Sequence, residues 1–263
     1  MNNLKTRHII VLLTALFQLI SSPISMNFTN FDAGYYLEEN PIYFLPARFT
    51  FGVWGLIITG MILYSIYQIL PAQRTRKIHE VVGWPIAVIN LLFTLWLVAA
   101  SLETVNESLI KPSFVLTILV ILLMLATLIY LFINSQIKNQ NLFNSPIDDL
   151  IISFPVMNYL AWICIATIAN ISDSLHGFGF TGGDVGEYWT LLVLAVAAIV
   201  VTIIMLLGRR LAGLAGYTLV IVWASYGLYY RNSELSDYVA YASLGLLVYT
   251  LILFIYKVWV SYK

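Results

Sequence analysis

The sequence predicts an all-α fold, a polytopic membrane bundle of eight transmembrane helices, and three observations carry that prediction. Of the 263 residues, 60% are hydrophobic and only 10% are charged, whereas soluble domains carry roughly 25% charged residues. The apolar residues fall in runs of about 20, the length that crosses about 30 Å of hydrocarbon at about 1.5 Å per residue. The charges collect in short connections, and their signs separate by side once eight spans are drawn.

Taken in order, the first span covers about 8–25, behind Lys5 and Arg7. Its basic start, apolar run and small residues Ser21, Ser22 and Ser25 also fit a cleaved signal peptide, although no clear Ala-x-Ala site follows. A polar, aromatic segment occupies 26–45. The remaining spans are expected at about 46–70, 81–103, 113–134, 147–171, 188–208, 211–230 and 239–260. Pro71, Pro112 and Pro146 stand at their edges, because proline interrupts a helix interior but is tolerated in a first turn. Arg209 and Arg210 mark the tightest junction, a helical hairpin whose basic turn lies in the headgroups.

Eight spans place ten of the 13 basic residues at one end: Lys5, Arg7, Arg74, Arg76, Lys77, Lys138, Arg209, Arg210, Lys257 and Lys263. Only Glu80, Asp148 and Asp149 accompany them. The opposite end holds Arg48, Lys111 and Arg231 with the other ten of the 13 acidic residues. The positive-inside rule then puts both termini in the cytoplasm of a multi-pass plasma-membrane protein, with a bacterial cell as the expected setting. A cleaved first span would leave the other seven oriented the same way.

Chemistry is constrained mainly by what the spans lack. No acidic, basic or histidine side chain lies near the middle of a predicted span. A retinal-type pump needs a mid-membrane lysine and counter-ion, and a proton-coupled carrier or intramembrane hydrolase usually shows an embedded carboxylate or a nucleophile with its base. His8, His79 and His176 fall on different segments without metal-ligand spacing. The single cysteine, Cys164, cannot close an intrachain disulfide. Neither an enzyme nor a nucleic-acid partner is expected. The run 177–182 fits G-x-G-x-x-G but follows a membrane helix rather than a strand, so it reads as a flexible turn. Asn27 and Asn106 begin glycosylation patterns that would matter only in a eukaryotic cell.

The most informative stretch is 154–172, FPVMNYLAWICIATIANIS. Asn158, Trp162, Ala166 and Asn170 recur every four residues and are expected to share one helical face. Amides in hydrocarbon need partners, so that face should meet other helices or line a cavity between them. Ala161, Ala166 and Ala169 would let a neighbouring helix or a flat ligand approach. Gly83 with Ala87, and Ala212 with Gly216, offer two more close-packing faces, within one chain or in a homodimer. Trp223, Tyr226 and Tyr230 form a further stripe, expected to pack in the core or at the interface.

These residues resemble the tryptophan-rich sensory proteins, the translocator protein (TspO/MBR) family. The fifth helix of that family carries Pro-Tyr-Leu-x-Trp followed by x-x-x-Ala-Thr-x-x-Asn. Here Tyr159, Leu160 and Trp162 precede Ala166, Thr167 and Asn170 at matching offsets. Pro41, Pro46 and Val53-Trp54-Gly55 are similar to the family's entry into its second helix, and Ala87 to Asn90 to its third. The sequence departs from the family at Leu91 and Phe93, which replace an aromatic pair, and at Ile171, which replaces a tyrosine. The aromatic-to-arginine stretch tied to sterol contact is absent from 172–176.

The resemblance implies a five-helix TspO-like core over 1–172 with three additional helices over 173–263, a longer branch of the family. It also implies a pocket opening toward the first long loop that takes flat, hydrophobic small molecules, including tetrapyrroles. Carried over, Trp54 and Trp162 would be aromatic walls, with Phe93 beside them. Ala166 and Ala169 would leave floor space, and Asn90 and Asn170 would fix polar groups. No cofactor is required on this reading, and membrane lipids are the remaining expected partners. The functions to separate are a binding or sensory protein, a transporter of an uncharged or lipid-like solute, and a stabilising subunit of a membrane complex.

Overall fold

A computed structural model describes residues 4–25, 41–180 and 183–263. The segment 26–40, with its Asn27 pattern, and residues 181–182 of the glycine-rich run lie outside the described residues. Eight helices are long and apolar enough to cross a membrane, and no strand occurs among the described residues. They are α1 (Thr6–Ser25), α2 (Val53–Tyr67), α3 (Lys77–Val105), α4 (Ile110–Phe132), α5 (Phe154–Gly177), α6 (Gly183–Leu207), α7 (Leu211–Asn232) and α8 (Asp237–Ser261).

The expected α5 is the most enclosed span of the bundle. It is entered through a short turn, Pro146–Asp148, capped by Ser145, whose hydroxyl accepts the Asp148 N–H at 3.3 Å. Pro at the first helical position costs nothing there, because that N–H has no helical partner. The backbone then widens over Asp149–Ser153 before α5 proper. Pro155 explains the widening, since its ring presses on the carbonyl four residues earlier and it donates no hydrogen bond.

Two glycines let other helices reach α5 at nearly one level. A β-carbon on Gly60 of α2 would lie 2.5 Å from Cβ of Pro155. One on Gly216 of α7 would lie 2.7 Å from both the Phe154 carbonyl oxygen and Oδ1 of Asn158. Gly83 of α3 similarly lies under the Arg7 side chain, with its Cδ 2.7 Å from such a carbon. Both small-residue faces read from the sequence are therefore used inside the chain. Close backbone approach suits membrane helices, whose association gains little from burying apolar surface away from equally apolar lipid.

Each of the three acidic residues at the basic end is paired. Lys5 meets Glu80 at 2.7 Å, and Arg210 is salt-bridged to Asp149. The enclosed pair is bidentate: Arg76 donates to Asp148 Oδ1 at 2.6 Å and Oδ2 at 2.7 Å. The fully buried Asp148 also accepts from Tyr67 Oη at 2.9 Å and from the backbone N–H of Asn144 at 2.8 Å. Its negative charge holds the Arg76 guanidinium protonated above the usual arginine range. This pair ties the α2–α3 turn to the lead-in of α5. A buried ion pair persists only when its remaining hydrogen-bonding capacity is met.

The C-terminal helices are built into the bundle rather than appended. α7 packs along α5, α8 packs along α7 and α6, and α6 touches α5 only slightly. The aromatic stripe of α7 cradles Phe49, in the turn Arg48–Gly52 ahead of α2, with ring centroids at 5.2 Å for Trp223, 5.9 Å for Tyr226 and 5.7 Å for Tyr230. Trp223 Nε1 donates to the Thr50 carbonyl at 3.1 Å. The entrance of α2 is thus positioned by α7, some 170 residues further on.

Candidate functional site

The inward face of α5 meets α2, α3 and α4 around a hollow of about 130 Å³. Trp54, Trp162, Ala166, Ala169 and Asn170 all line it, as do Phe51, Trp96, Phe114 and Thr117. From Trp162 to Asp173 the lining runs eleven residues along α5, roughly 16 Å at the helical rise. Leu45 and Pro46, at the end of the first long connection, border its acidic end.

Aromatic packing sets the wall. Trp54 stands edge-on to Trp162 at 6.1 Å and to Tyr159 at 5.8 Å, and leans on Phe93 at 4.5 Å. Phe51 meets Trp162 edge-on at 5.4 Å. Such pairs each contribute about 0.5–1.5 kcal/mol beyond their buried area. Tyr159 is held from behind, where Gln18 Nε2 of α1 donates to its hydroxyl at 3.1 Å. Both tryptophans read as pocket walls therefore turn into the bundle. Trp162 is only 1% exposed, and its indole N–H has no acceptor among the described residues.

Asn170 bridges helices. Its Oδ1 accepts from Trp96 Nε1 at 3.2 Å, and its Nδ2 donates to Thr117 Oγ1 at 3.2 Å. A primary amide still has a second N–H to offer. Two residues carried over by resemblance stand elsewhere. Phe93 backs Trp54 instead of lining the hollow. Asn90 is enclosed in α3 away from it, and neither amide atom has a hydrogen-bond partner.

The expected four-residue face is only partly shared. Trp162, Ala166 and Asn170 line the hollow, while Asn158 faces Gly216 of α7. Each step of four residues overshoots a 3.6-residue turn by about 40°, so three steps carry Asn158 about 120° from Asn170. Trp96, Phe114 and Thr117 went unselected in the sequence. Trp96 lies six residues after Asn90 on α3, and tryptophan well inside a span was the available signal. For Thr117 nothing local distinguishes a pocket hydroxyl from a helix-packing one.

His8 and His79, distant in sequence, come together at the basic end. Arg7 Nη2 lies 3.0 Å from His8 Nε2, and His79 Nδ1 lies 3.4 Å from the Tyr64 hydroxyl. Among the described residues no three His, Cys, Asp or Glu side chains are grouped to hold a metal ion. Gly177 packs on the Phe114 ring, and Gly179 takes φ +93° in the turn ending α5. The described part of the glycine-rich run is thus a helix terminus.

These features define a class: an eight-span membrane protein with an indole-walled hollow inside its bundle. The family model described as TSPO-like protein matches residues 6–256, and the chain belongs to that family. The match runs through all eight helices. Comparison with curated proteins and with solved structures finds no match.

Proposed function

We propose that this chain is a membrane binding or sensory protein that holds a flat, largely apolar ligand between Trp54 and Trp162. The observation that carries this reading is the hollow itself, walled by the rings of Trp54, Trp162 and Phe51 inside a bundle of otherwise uncharged spans. Rigid aromatic faces with a few placed polar groups are what a flat apolar ligand needs. Ala166 and Ala169 keep the space open, and Asn170 orients what enters. We place the ligand-binding unit in the five-helix part over 1–172, with 173–263 bracing it. The basic end faces the cytoplasm, so the hollow opens toward the outer side.

A tetrapyrrole is the ligand class implied by the family resemblance. Ligand sites usually enclose about 300–1,000 Å³, so a macrocycle would have to spread α2 from α4 beyond the 130 Å³ now open. The test is quenching of tryptophan fluorescence by protoporphyrin in detergent. Trp162→Phe should weaken binding about tenfold, or about 1.4 kcal/mol. Unchanged affinity would remove Trp162 from the site.

A second reading, passage of a lipid-like solute, has its own observation. A groove of about 450 Å³ lies between α4, α5, α6 and α7, lined almost wholly by apolar side chains and reached by Cys164. Alkylation of Cys164 by a membrane-soluble maleimide, slowed by added long-chain lipid, would favour this reading; indifference to lipid would remove it.

A further inference from the structure

At its acidic end the indole-walled hollow changes character. Asp173 lies one turn beyond Asn170 on α5 and lines the hollow, as does Glu103 at the end of α3. Asp173 is half-buried, and it accepts no hydrogen bond and forms no ion pair among the described residues. The charge it feels most is that of His176, on its own helix. The hollow therefore presents three indoles (Trp54, Trp96 and Trp162) and, at its mouth, a carboxylate with no partner among the described residues.

We infer that this hollow selects a small planar organic cation: a ring system slotted between the indoles, carrying a protonated amine against Asp173. The inference rests on the binding role assigned to the same hollow and adds the ligand's charge and size. Three observations converge on it. Indole faces attract cations through their negative quadrupole, and the attraction grows when water is excluded. A carboxylate in a poorly hydrated site gains most from an opposite charge nearby. The open volume suits a one- or two-ring molecule far better than a macrocycle.

The experiment uses the full-length protein in detergent and two probes of nearly identical shape, 1-aminomethylnaphthalene and 1-hydroxymethylnaphthalene. Only the first is charged at neutral pH. Equilibrium dialysis should show the amine binding at least about tenfold more tightly than the alcohol, or about 1.4 kcal/mol. Asp173→Asn keeps the shape and should bring the two affinities to within about twofold. An unshifted melting temperature in detergent is the control that the variant folds. Equal affinities in the native protein, or an amine preference that survives Asp173→Asn, would overturn the inference and leave the binding role standing. If neither probe binds and protoporphyrin does not bind either, the binding role fails and the charge preference falls with it.

Discussion

Two hollows among the described residues, the indole-walled one and the apolar groove, share α5 and differ in the chemistry of their walls. One face of α5 presents Trp162, Ala166, Ala169 and Asn170 to the indole-walled hollow; another presents Leu160, Cys164, Thr167 and Ile168 to the apolar groove. Ile165 borders both. The groove is the larger, at about 450 Å³ against about 130 Å³, yet size is the weaker guide to function here. An apolar cleft can be filled by any hydrocarbon chain at little cost. The small hollow is instead bordered by the amide of Asn170 and the carboxylate of Asp173, groups that are expensive to bury and are compensated only by specific partners.

The largest expected effect strikes what both hollows share. Arg76→Ala leaves the Asp148 carboxylate buried without its partner, which should cost about 3–5 kcal/mol. Thermal unfolding in detergent should show the loss, and porphyrin quenching and Cys164 protection should fail together. An unshifted melting temperature would mean the lead-in of α5 is held by other contacts.

Gly216→Leu sharpens the comparison by acting on one side. The new side chain meets the Phe154 carbonyl and Asn158, where overpacking costs about 1–3 kcal/mol. Because α7 contributes Tyr217 and Ile221 to the groove, Cys164 should alkylate faster while probe affinity in the indole-walled hollow stays within about twofold. Equal damage to both would show that they open as one unit. Trp162→Phe is the reciprocal test: weaker binding in the hollow, with the Cys164 alkylation rate unchanged.

The smallest effect is expected from Thr167→Val. This hydroxyl lines the groove but donates to the Ile163 carbonyl of its own helix at 2.7 Å. Its loss should change stability by no more than about 1 kcal/mol. A larger shift in unfolding midpoint would reveal a polar role in an otherwise apolar groove.

Much of this architecture is legible in the sequence. The helix expected at 211–230 is observed as Leu211–Asn232, and that at 239–260 as Asp237–Ser261. Trp54 and Trp162, the expected pocket walls, face inward. The misjudged feature was the reach of one helical face, where Asn158 rotates away to α7 and Asn170 stays at the hollow. Asn90 shows the complementary limit. An amide in a span signals an inward position, and it is fully buried, but nothing in its neighbours tells which interior space it meets.

The sequence by itself determined the spans, their number and the separation of charge between the two ends. Those properties are imposed by the bilayer residue by residue, through the cost of placing polar groups in hydrocarbon. Only the tertiary structure decided that α5 is gripped by Gly60 and Gly216, that α7 positions the entrance of α2, and that Trp96 joins Trp54 and Trp162. Inside a membrane no hydrophobic gradient tells one apolar face from another. Which faces meet is settled by shape and by a few hydrogen bonds between helices far apart in the chain.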